Sequence, residues 1–302
     1  MASVIVACFY PVTAFKTAQG AVVFAERGDV VGTLVLPCGK CVGCRLERAR
    51  QWGIRVMHEA SQYEANCFVT LTYDDAHLPF RNSLDYRDFQ LFVRRLRKCR
   101  DYSVRYFACG EYGGELGRPH YHAALFNEGF LNDRKPWRVT PGGHKVFRSA
   151  TLDRLWGKGF AEIGSLNVSS ARYIARYALK KVTGDLAPDH YRRVTEDGEV
   201  YYLAPELLHM SLKPGIGSRW FDRYAGSDVL HRDGVVVDGR VESLPRFYDK
   251  LWMRREADSF DDAKAQRIVK ALSVADDNTD ARLRVKEAIV KARLRFYKRD
   301  LK

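Results

Sequence analysis

The sequence predicts an α+β fold, in which an antiparallel sheet is backed by helices on one face. The first observation is an alternation of apolar and polar side chains that marks strands at residues 68–73 and 104–111. The second is a glycine-rich turn at residues 113–117, which leads into another strand at residues 119–126, as in a hairpin. The third is an amphipathic helix at residues 85–100, whose apolar face can cover such a sheet.

The elements after the hairpin continue this pattern. A strand is expected at residues 160–166 and a helix from Ser169 onwards, so the order of elements is β-α-β-β-β-α. Residues 130–158 separate the hairpin from the next strand. We interpret them as an insertion, in which prolines and glycines mark loops and residues 151–156 form a short helix.

The 302 residues are enough for one large domain or two small ones, and we expect three regions. They are an N-terminal cysteine-rich module with a basic helix at residues 1–66, the sheet domain at 67–190, and a C-terminal region at 191–302. In the last region, Asp197-Gly198 and Asp233-Gly234 predict hairpin turns. The loop from Lys213 to Gly217 suits either a contact with a nucleic-acid backbone or an ordinary turn. Two basic helices are expected to follow.

Composition narrows the class of partner. The formal net charge of +13 favours a polyanion, most simply nucleic acid, although charge alone also fits a basic protein that binds none. A hydrophobic content of 46% argues against disorder, and no apolar run approaches the length of a membrane span. Seven cysteines, an odd number, fit a reducing cytoplasm.

Two histidines on one strand are candidate metal ligands. His120 and His122 are two residues apart, so their side chains project from the same face of the strand. Glu111 ends the preceding strand and can lie beside them across the hairpin. Two imidazoles and one carboxylate leave coordination positions open for water and a substrate oxygen. The same pattern also fits a strand whose histidines have no chemical role.

Two tyrosines lie on one face of the helix that begins at Ser169. Tyr173 and Tyr177 are four residues apart, which places them about 6 Å apart along the helix axis. Lys180 extends that face, while Ile174 belongs to a neighbouring apolar stripe that can dock on the sheet. Tyrosines at this spacing are either core residues or a pair of nucleophiles.

Three closely spaced cysteines predict a metal site in the N-terminal module. Cys38, Cys41 and Cys44 are separated by two residues each, and Cys8 is the best candidate for a fourth zinc ligand. An iron–sulfur cluster and reduced, unligated thiols are the alternatives. An amphipathic helix at residues 45–63 follows, and its arginines indicate either a solvated face or a face for the DNA backbone.

These motifs together resemble the HUH endonucleases, the superfamily of rolling-circle replication initiators. His120-Tyr121-His122 resembles the HUH motif, residues 68–73 resemble the strand called motif one, and Tyr173 and Tyr177 with Lys180 resemble the two-tyrosine nickase motif. The replication initiators of microviruses, especially the gokushovirus branch, are the most similar group. Other stretches similar to that branch are Cys8–Pro11, Pro37–Cys41, Trp52 and Lys213–Gly217. The resemblance covers residues 8 to 225.

The resemblance implies a ferredoxin-like β-α-β-β-α core and a metal-dependent nickase. Glu111, His120 and His122 would hold Mg²⁺ or Mn²⁺, and a tyrosine would attack single-stranded DNA at a replication origin. The attack would leave a 5′-phosphotyrosine and a free 3′-hydroxyl, and Lys180 would stabilise the phenolate or the phosphate.

The biological role implied is to start and end rolling-circle replication of a small circular phage genome. The place of action would be the cytoplasm of a bacterial host, with the host helicase and polymerase as partners. A transposase or relaxase would use the same chemistry, and a non-catalytic, zinc-stabilised DNA-binding protein is the alternative from another class.

Overall fold

The computed structural model describes residues 8–114, 116–177, 181–182 and 184–297; the side chains of Tyr177, Asp228, Phe296 and Tyr297 lie outside this description. The chain divides into two units. The smaller unit combines the two ends of the chain, up to Arg48 and from Leu251 onwards, and the larger unit is Ala49–Lys250. The three-region division based on residues 66 and 190 stays a prediction.

The described residues contain both strands and helices. The strands are β1 (Val12–Thr17), β2 (Val22–Val23), β3 (Val30–Leu36), β4 (Asn66–Tyr73), β5 (Arg105–Tyr112), β6 (Pro119–Phe126), β7 (Lys135–Val139), β8 (Lys145–Arg148), β9 (Gly159–Gly164), β10 (Arg192–Val194), β11 (Val200–Tyr202), β12 (Leu207–Met210), β13 (Val235–Val237) and β14 (Arg240–Glu242). The helices are α1 (Val42–Ala60), α2 (Tyr86–Lys98), α3 (Ala150–Trp156), α4 (Val168–Tyr177), α5 (Ala187–Tyr191), α6 (Ser218–Tyr224), α7 (Leu230–Arg232), α8 (Arg246–Arg255), α9 (Ala257–Leu272) and α10 (Asp280–Tyr297).

A seven-stranded sheet forms the centre of the larger unit, with the strand order β12-β5-β6-β4-β9-β8-β7. Every neighbouring pair in it is antiparallel. The α+β class and the antiparallel sheet predicted from the sequence are therefore confirmed. The segment interpreted as an insertion does more than connect: β7 and β8 extend one edge of the sheet, a pairing over long distance that turn residues in the sequence do not indicate.

Helices α2 and α3 cover one face of this sheet. Helix α2 begins at its N-cap Asp85, whose carboxylate accepts a hydrogen bond from the backbone N–H of Arg87. Its buried residues Phe89, Phe92 and Leu96 pack on alternate residues of β4 and β6. Each such side chain contributes about 1.5–3 kcal/mol when it is removed from water.

Helices also cover the opposite face, so the expectation of helices on one face only is wrong. Ala171, Ile174 and Ala175 of α4, together with Val56 of α1, are buried against alternate side chains of β5 and β6. The two helices approach closely at Gly53, where an added Cβ would lie 2.7 Å from Cγ of Arg172. The periodicity of a strand shows which residues share a face, but it does not show which helix will cover it.

The C-terminal part of the larger unit contains two hairpins. Gly198 lies in the turn between β10 and β11, as the sequence predicts. The second prediction is wrong, because Asp233 caps the end of α7 and the turn between β13 and β14 is Asp238-Gly239. Both sites need a positive φ, which Asp, Asn and Gly tolerate, and the dipeptide alone does not separate a helix end from a hairpin.

The basic residues that suggested DNA contacts in α1 and in the Lys213–Gly217 loop make internal contacts. Arg55 is stacked between the rings of Trp52 and Phe247, at 4.0 and 3.8 Å. The loop is held by a buried pair, Arg105 and Glu59, which are 2.6 Å apart. Arg105 donates to the carbonyl of Pro214, and Glu59 accepts from the N–H of Gly217. This geometry favours the interpretation of the loop as a structural turn.

The smaller unit contains a three-stranded sheet with the order β2-β1-β3. Helix α10 contacts the segment before β1: Tyr10 donates a 2.6 Å hydrogen bond to Glu287, and the guanidinium of Arg284 lies 3.7 Å above the Tyr10 ring. The hydrogen bond to Tyr10 lowers the pKa of Glu287. Among the described residues, none of the helices is both long and apolar enough to cross a membrane.

Candidate functional site

The β5–β6 hairpin brings together the three candidate metal ligands. Its register places Glu111 directly opposite His120 and Cys109 opposite His122. Since side chains alternate along a strand, both histidines project from the face covered by α4, as does Glu111. We call Glu111, His120 and His122 the Glu–His–His cluster.

One carboxylate oxygen lies between the two imidazoles. Oε1 of Glu111 is 3.0 Å from Nε2 of His120 and 3.1 Å from Nε2 of His122. The potential ligand atoms all lie within 4.8 Å of one another. Glu111 and His122 are buried, while His120 is partly exposed, so the cluster is open to solvent on the side of His120. The structure therefore brings together the three residues that the sequence suggested.

The outer nitrogens of both imidazoles have partners. Nδ1–H of His120 donates to the carbonyl of Arg118 at 3.1 Å, because a carbonyl oxygen can only accept. Nδ1 of His122 lies 3.0 Å from Oγ1 of Thr70, its neighbour in register on β4. Contacts of this kind fix the tautomer and the orientation of a metal-binding imidazole, and they leave Nε2 for the ligand.

The donor set fits a hard divalent cation. His120 uses its proton on the carbonyl of Arg118, so the lone pair of Nε2 would face the carboxylate of Glu111 unless a proton or a cation lies between them. Adjacent ligands in an octahedral shell with bonds of about 2.1 Å are about 3.0 Å apart. The distances from Glu111 to both imidazoles match that spacing.

Helix α4 places Tyr173 against this cluster. The ring centroid of Tyr173 lies 5.2 Å from that of His122, with an angle of 78° between the planes. Phe68 contacts both rings, stacked at 5.4 Å from His122 and edge-on at 6.2 Å from Tyr173. The side chain of Tyr177 and the whole of Lys180 lie outside the described residues, so their predicted positions are untested.

Sequence reasoning missed two residues that support the cluster, Phe68 and Thr70. Both occupy even-numbered positions of β4, and so does Thr72, which pairs with His120 in register. The signal was present in the alternation of the strand, since Cys67, Val69 and Leu71 are the side chains that face α2. What the sequence did not indicate is that β4 lies beside β6.

The four predicted cysteine ligands also lie together, in the smaller unit. Sγ of Cys8 and Cys41 are 3.9 Å apart, and the potential ligand atoms of all four cysteines lie within 4.8 Å of one another. We call these residues, Cys8, Cys38, Cys41 and Cys44, the four-cysteine cluster. Thiolates bound to tetrahedral zinc at about 2.3 Å are about 3.8 Å apart, so this spacing suits a zinc ion.

Backbone N–H groups point at the sulfur atoms of this cluster. The N–H groups of Cys38, Cys41 and Cys44 donate to Sγ of Cys8, Cys38 and Cys41, at 3.2, 3.4 and 3.4 Å. Burial opposes ionisation of Cys38, but backbone hydrogen bonds from Cys41 and Lys40 outweigh it and lower the pKa of this thiol to about 7. Burial raises the pKa of Cys8 and Cys44. The loop thus favours negative charge at Cys38.

Comparison with known proteins places this arrangement in a family. The family model for Replication-associated protein ORF2 matches residues 66–182. Replication-associated protein VP4 of Bdellovibrio phage phiMH2K is 31% identical over 280 residues, which cover 89% of this chain and 84% of the relative. The chain belongs to the replication-associated proteins of small phages. Its recognition as a microvirus-like replication initiator is thereby confirmed.

Two further relatives support membership of the replication-associated proteins. Replication-associated protein ORF2 of Spiroplasma virus 4 is 34% identical over 238 residues, covering 74% of this chain and 70% of the relative. Replication-associated protein ORF4 of Chlamydia phage 1 is 32% identical over 227 residues, covering 72% of this chain and 53% of the relative. No solved structure is similar enough to match. The region matched by the family model includes the Glu–His–His cluster and Tyr173.

Proposed function

We propose that this replication-associated protein is an HUH nickase and strand transferase that acts on single-stranded DNA. The observation that supports this most strongly is the position of the Tyr173 ring, 5.2 Å from the ring of His122 in the Glu–His–His cluster. A phenol next to a candidate cation site has the components needed for phosphoryl transfer. The predicted β-α-β-β-α core of that superfamily belongs to the same proposal.

Glu111, His120 and His122 would hold Mg²⁺ or Mn²⁺. When bound, the ion would polarise an oxygen of the scissile phosphate and offset charge in the transition state. The chain itself contributes orientation: Thr70 and the carbonyl of Arg118 hold the two imidazoles so that both Nε2 atoms face Glu111. Burial of Glu111 keeps its carboxylate in this position.

The reaction conserves the number of phosphoester bonds. The phenolate oxygen of a tyrosine forms a bond to phosphorus, and the bond from phosphorus to the 3′-oxygen breaks. The leaving 3′-oxygen takes up a proton, while the phenol has lost one to solvent. The products are a 5′-phosphotyrosine and a free 3′-hydroxyl that a polymerase can extend, and reversal of the same step rejoins the strand.

Two tyrosines would allow the protein to start and to end a round of replication. Tyr177 follows Tyr173 by four residues on α4, which puts their backbones on the same side of the helix, about 6 Å apart along its axis. In this proposal one tyrosine holds the first DNA end while the other cuts after one round. Lys180 stabilises the phenolate or the phosphate.

The four-cysteine cluster would hold one structural Zn²⁺. The spacing of its sulfur atoms and the backbone N–H groups directed at them support this assignment. A site filled by four protein thiolates has no open position for substrate, so the role is to stabilise the smaller unit.

The names of the relatives favour replication over transposition or conjugation as the setting. In this setting the substrate is the origin of a small circular phage genome, and the net charge of +13 suits the DNA partner. The host helicase and polymerase are the partners we propose, and the bacterial cytoplasm is the place of action.

Incubation with Mn²⁺ and single-stranded oligonucleotides that tile the phage genome tests the enzyme assignment. We expect one oligonucleotide to yield a covalent protein–DNA adduct on a denaturing gel, together with a shorter strand that ends in a 3′-hydroxyl. The same reaction with excess chelator is the control. DNA binding without any adduct across the whole genome would instead identify a non-catalytic DNA-binding protein.

A further inference from the structure

A cavity of about 460 Å³ opens beside the turn between β5 and β6. Its wall includes Tyr112 and Gly113, the two residues that follow Glu111. A Cβ built on Gly113 would lie 3.9 Å from Cε1 of His120. Gly113 therefore borders both the cavity and the Glu–His–His cluster.

The opposite wall comes from the hairpin formed by β10 and β11. Arg193 and Tyr201 are paired in register, so they share one face of the hairpin, and both line the cavity. The guanidinium of Arg81 lies 4.7 Å from the centre of the Tyr201 ring and forms an ion pair with Glu199 at 2.6 Å. An aromatic ring and two arginines therefore line the same space.

Hydrogen bonds hold this wall in place. The hydroxyl of Tyr112 donates to the carbonyl of Ala204 at 2.7 Å and accepts from the N–H of Leu84 at 3.0 Å. Tyr191 donates to the buried carboxylate of Glu206 at 2.5 Å. The cavity is thus fixed to β5 before any ligand binds, which lowers the entropic cost of binding.

The backbone at the rim is strained. Arg81 and Asn82 have φ values of 57° and 54°, in the left-handed region. Asparagine tolerates this conformation, but arginine adopts it rarely. Strain of this kind is often found where a side chain is held for function. Here it keeps the guanidinium of Arg81 next to Tyr201.

Arg193 offers positive charge to a ligand. Its guanidinium donates hydrogen bonds to the carbonyls of His190 and Arg192, at 2.9 and 2.8 Å. These neutral acceptors orient the group without cancelling its charge. A fixed cation beside an aromatic face suits a phosphate joined to a planar base. The volume lies within the range of about 300–1,000 Å³ that is typical of small-ligand sites, which is suitable for one nucleotide and too small for a duplex.

We propose that this cavity binds one unpaired nucleotide of the DNA strand, next to the phosphate that is cut. Its base stacks on Tyr201 and its phosphate contacts Arg193. The proposal rests on the proposed function for the position of the cut, but binding in the cavity can be measured without cleavage. The subsite would fix the register of the strand relative to the Glu–His–His cluster.

The test measures binding of a fluorescein-labelled twelve-residue oligothymidylate to the full chain, in chelator, across a series of salt concentrations. Tyr201→Ala should weaken binding about five-fold or more, because one stacked base is lost, and should leave the salt dependence unchanged. Arg193→Ala should also weaken binding, and it should reduce the slope of log affinity against log salt by about 0.7, the value for one phosphate contact on a single strand.

Neighbouring residues provide matched controls. Arg192 and Tyr202 are the next pair in register on the same hairpin and project from its other face. Tyr202 is 60% exposed. Arg192→Ala and Tyr202→Ala should bind as the wild type does. Tyr201→Phe, which keeps the ring, should restore binding that Tyr201→Ala loses.

The outcomes separate this proposal from the nickase assignment. Loss of binding in the Tyr201 and Arg193 variants supports the subsite even if no variant cleaves DNA. Equal binding by all four alanine variants overturns the subsite even if cleavage is normal, as does binding of thymidine monophosphate at Tyr201 with no effect on the oligonucleotide. If Tyr201→Ala does not fold, cross-linking of a 5-iodouracil oligonucleotide to wild type gives the answer, since a cross-link that maps away from the cavity overturns the proposal.

Discussion

Oγ1 of Thr70 lies 3.0 Å from Nδ1 of His122, across neighbouring strands of the central sheet. This contact is made by a residue that has no direct place in the predicted chemistry. It orients the imidazole whose other nitrogen faces Glu111. A partner of this kind adds precision to a metal site, because it restricts both the tautomer and the rotation of the ring.

The first prediction follows from this contact. Thr70→Val keeps the shape of the side chain and removes the hydroxyl, so we expect Mn²⁺ affinity or cleavage to fall about 10- to 100-fold. High Mn²⁺ should restore part of the cleavage. Thr72→Val, on the same face of β4, is the matched control and should have little effect. Cleavage by Thr70→Val that is normal at every Mn²⁺ concentration would exclude the positioning role.

The second prediction concerns the ligands themselves. Simultaneous His120→Ala and His122→Ala substitutions should abolish cleavage, because only Glu111 of the proposed donor set remains. Binding of single-stranded DNA should change by less than about two-fold, and circular dichroism should show an intact fold. Calorimetric titration with Mn²⁺ provides an independent measurement. Full cleavage by the double variant would mean that the site has been assigned to the wrong residues.

The third prediction concerns the tyrosine pair. Tyr173→Phe and Tyr177→Phe each remove one hydroxyl and keep the ring, so each variant should still form the DNA adduct on a minimal origin oligonucleotide. Neither should complete strand closure, and the double variant should form no adduct. Peptide mapping of the adduct would identify the residue. If Tyr177→Phe alone abolishes the adduct and Tyr173→Phe behaves normally, Tyr177 is the sole nucleophile and the paired mechanism is wrong.

The fourth prediction concerns the four-cysteine cluster. Protein purified without added metal should contain one zinc per chain by elemental analysis. Cys38→Ser or Cys44→Ser should lose most of it and lower the unfolding temperature, since zinc binding contributes directly to folding. Cys99→Ser, at an exposed cysteine outside the cluster, should retain zinc. An iron–sulfur absorption spectrum, or metal-free protein of unchanged stability, would contradict the assignment.

The fifth prediction concerns pH. His58 is stacked 3.5 Å from Trp220, and burial lowers the pKa of this imidazole from 6.5 to about 3. Between these values the unfolded chain binds a proton that the folded chain does not, so stability increases with pH across this window. From pH 7 to pH 5 the free energy of unfolding should fall by about 2 kcal/mol because of this group.

Denaturant unfolding at several pH values measures this dependence. His58→Phe keeps a ring on Trp220 but cannot take up a proton, so its stability should depend less on pH in this range, whatever its absolute stability. His144→Asn removes an exposed histidine and is the control, whose pH profile should follow that of the wild type. Identical profiles for all three proteins would mean that His58 is not the group responsible.

The local part of the candidate site could be predicted from the sequence. Alternation with a period of two places His120 and His122 on one face, and a short hairpin brings Glu111 opposite His120. Both relations depend on residues close in the chain, where the geometry of a strand and a turn leaves few options. The approach of Cys8 to the other three cysteines was also predicted, because two short strands return the chain to that loop.

Contacts between distant segments were decided only by the tertiary structure. Thr70 supports His122 because β4 lies beside β6, and Tyr173 reaches the same ring because α4 packs on that face of the sheet. Arg55 lies between two aromatic rings, although its charge had suggested DNA or solvent. Periodicity states which side chains point together, but the choice of neighbour depends on packing across the whole sheet, to which residues far apart in the chain contribute.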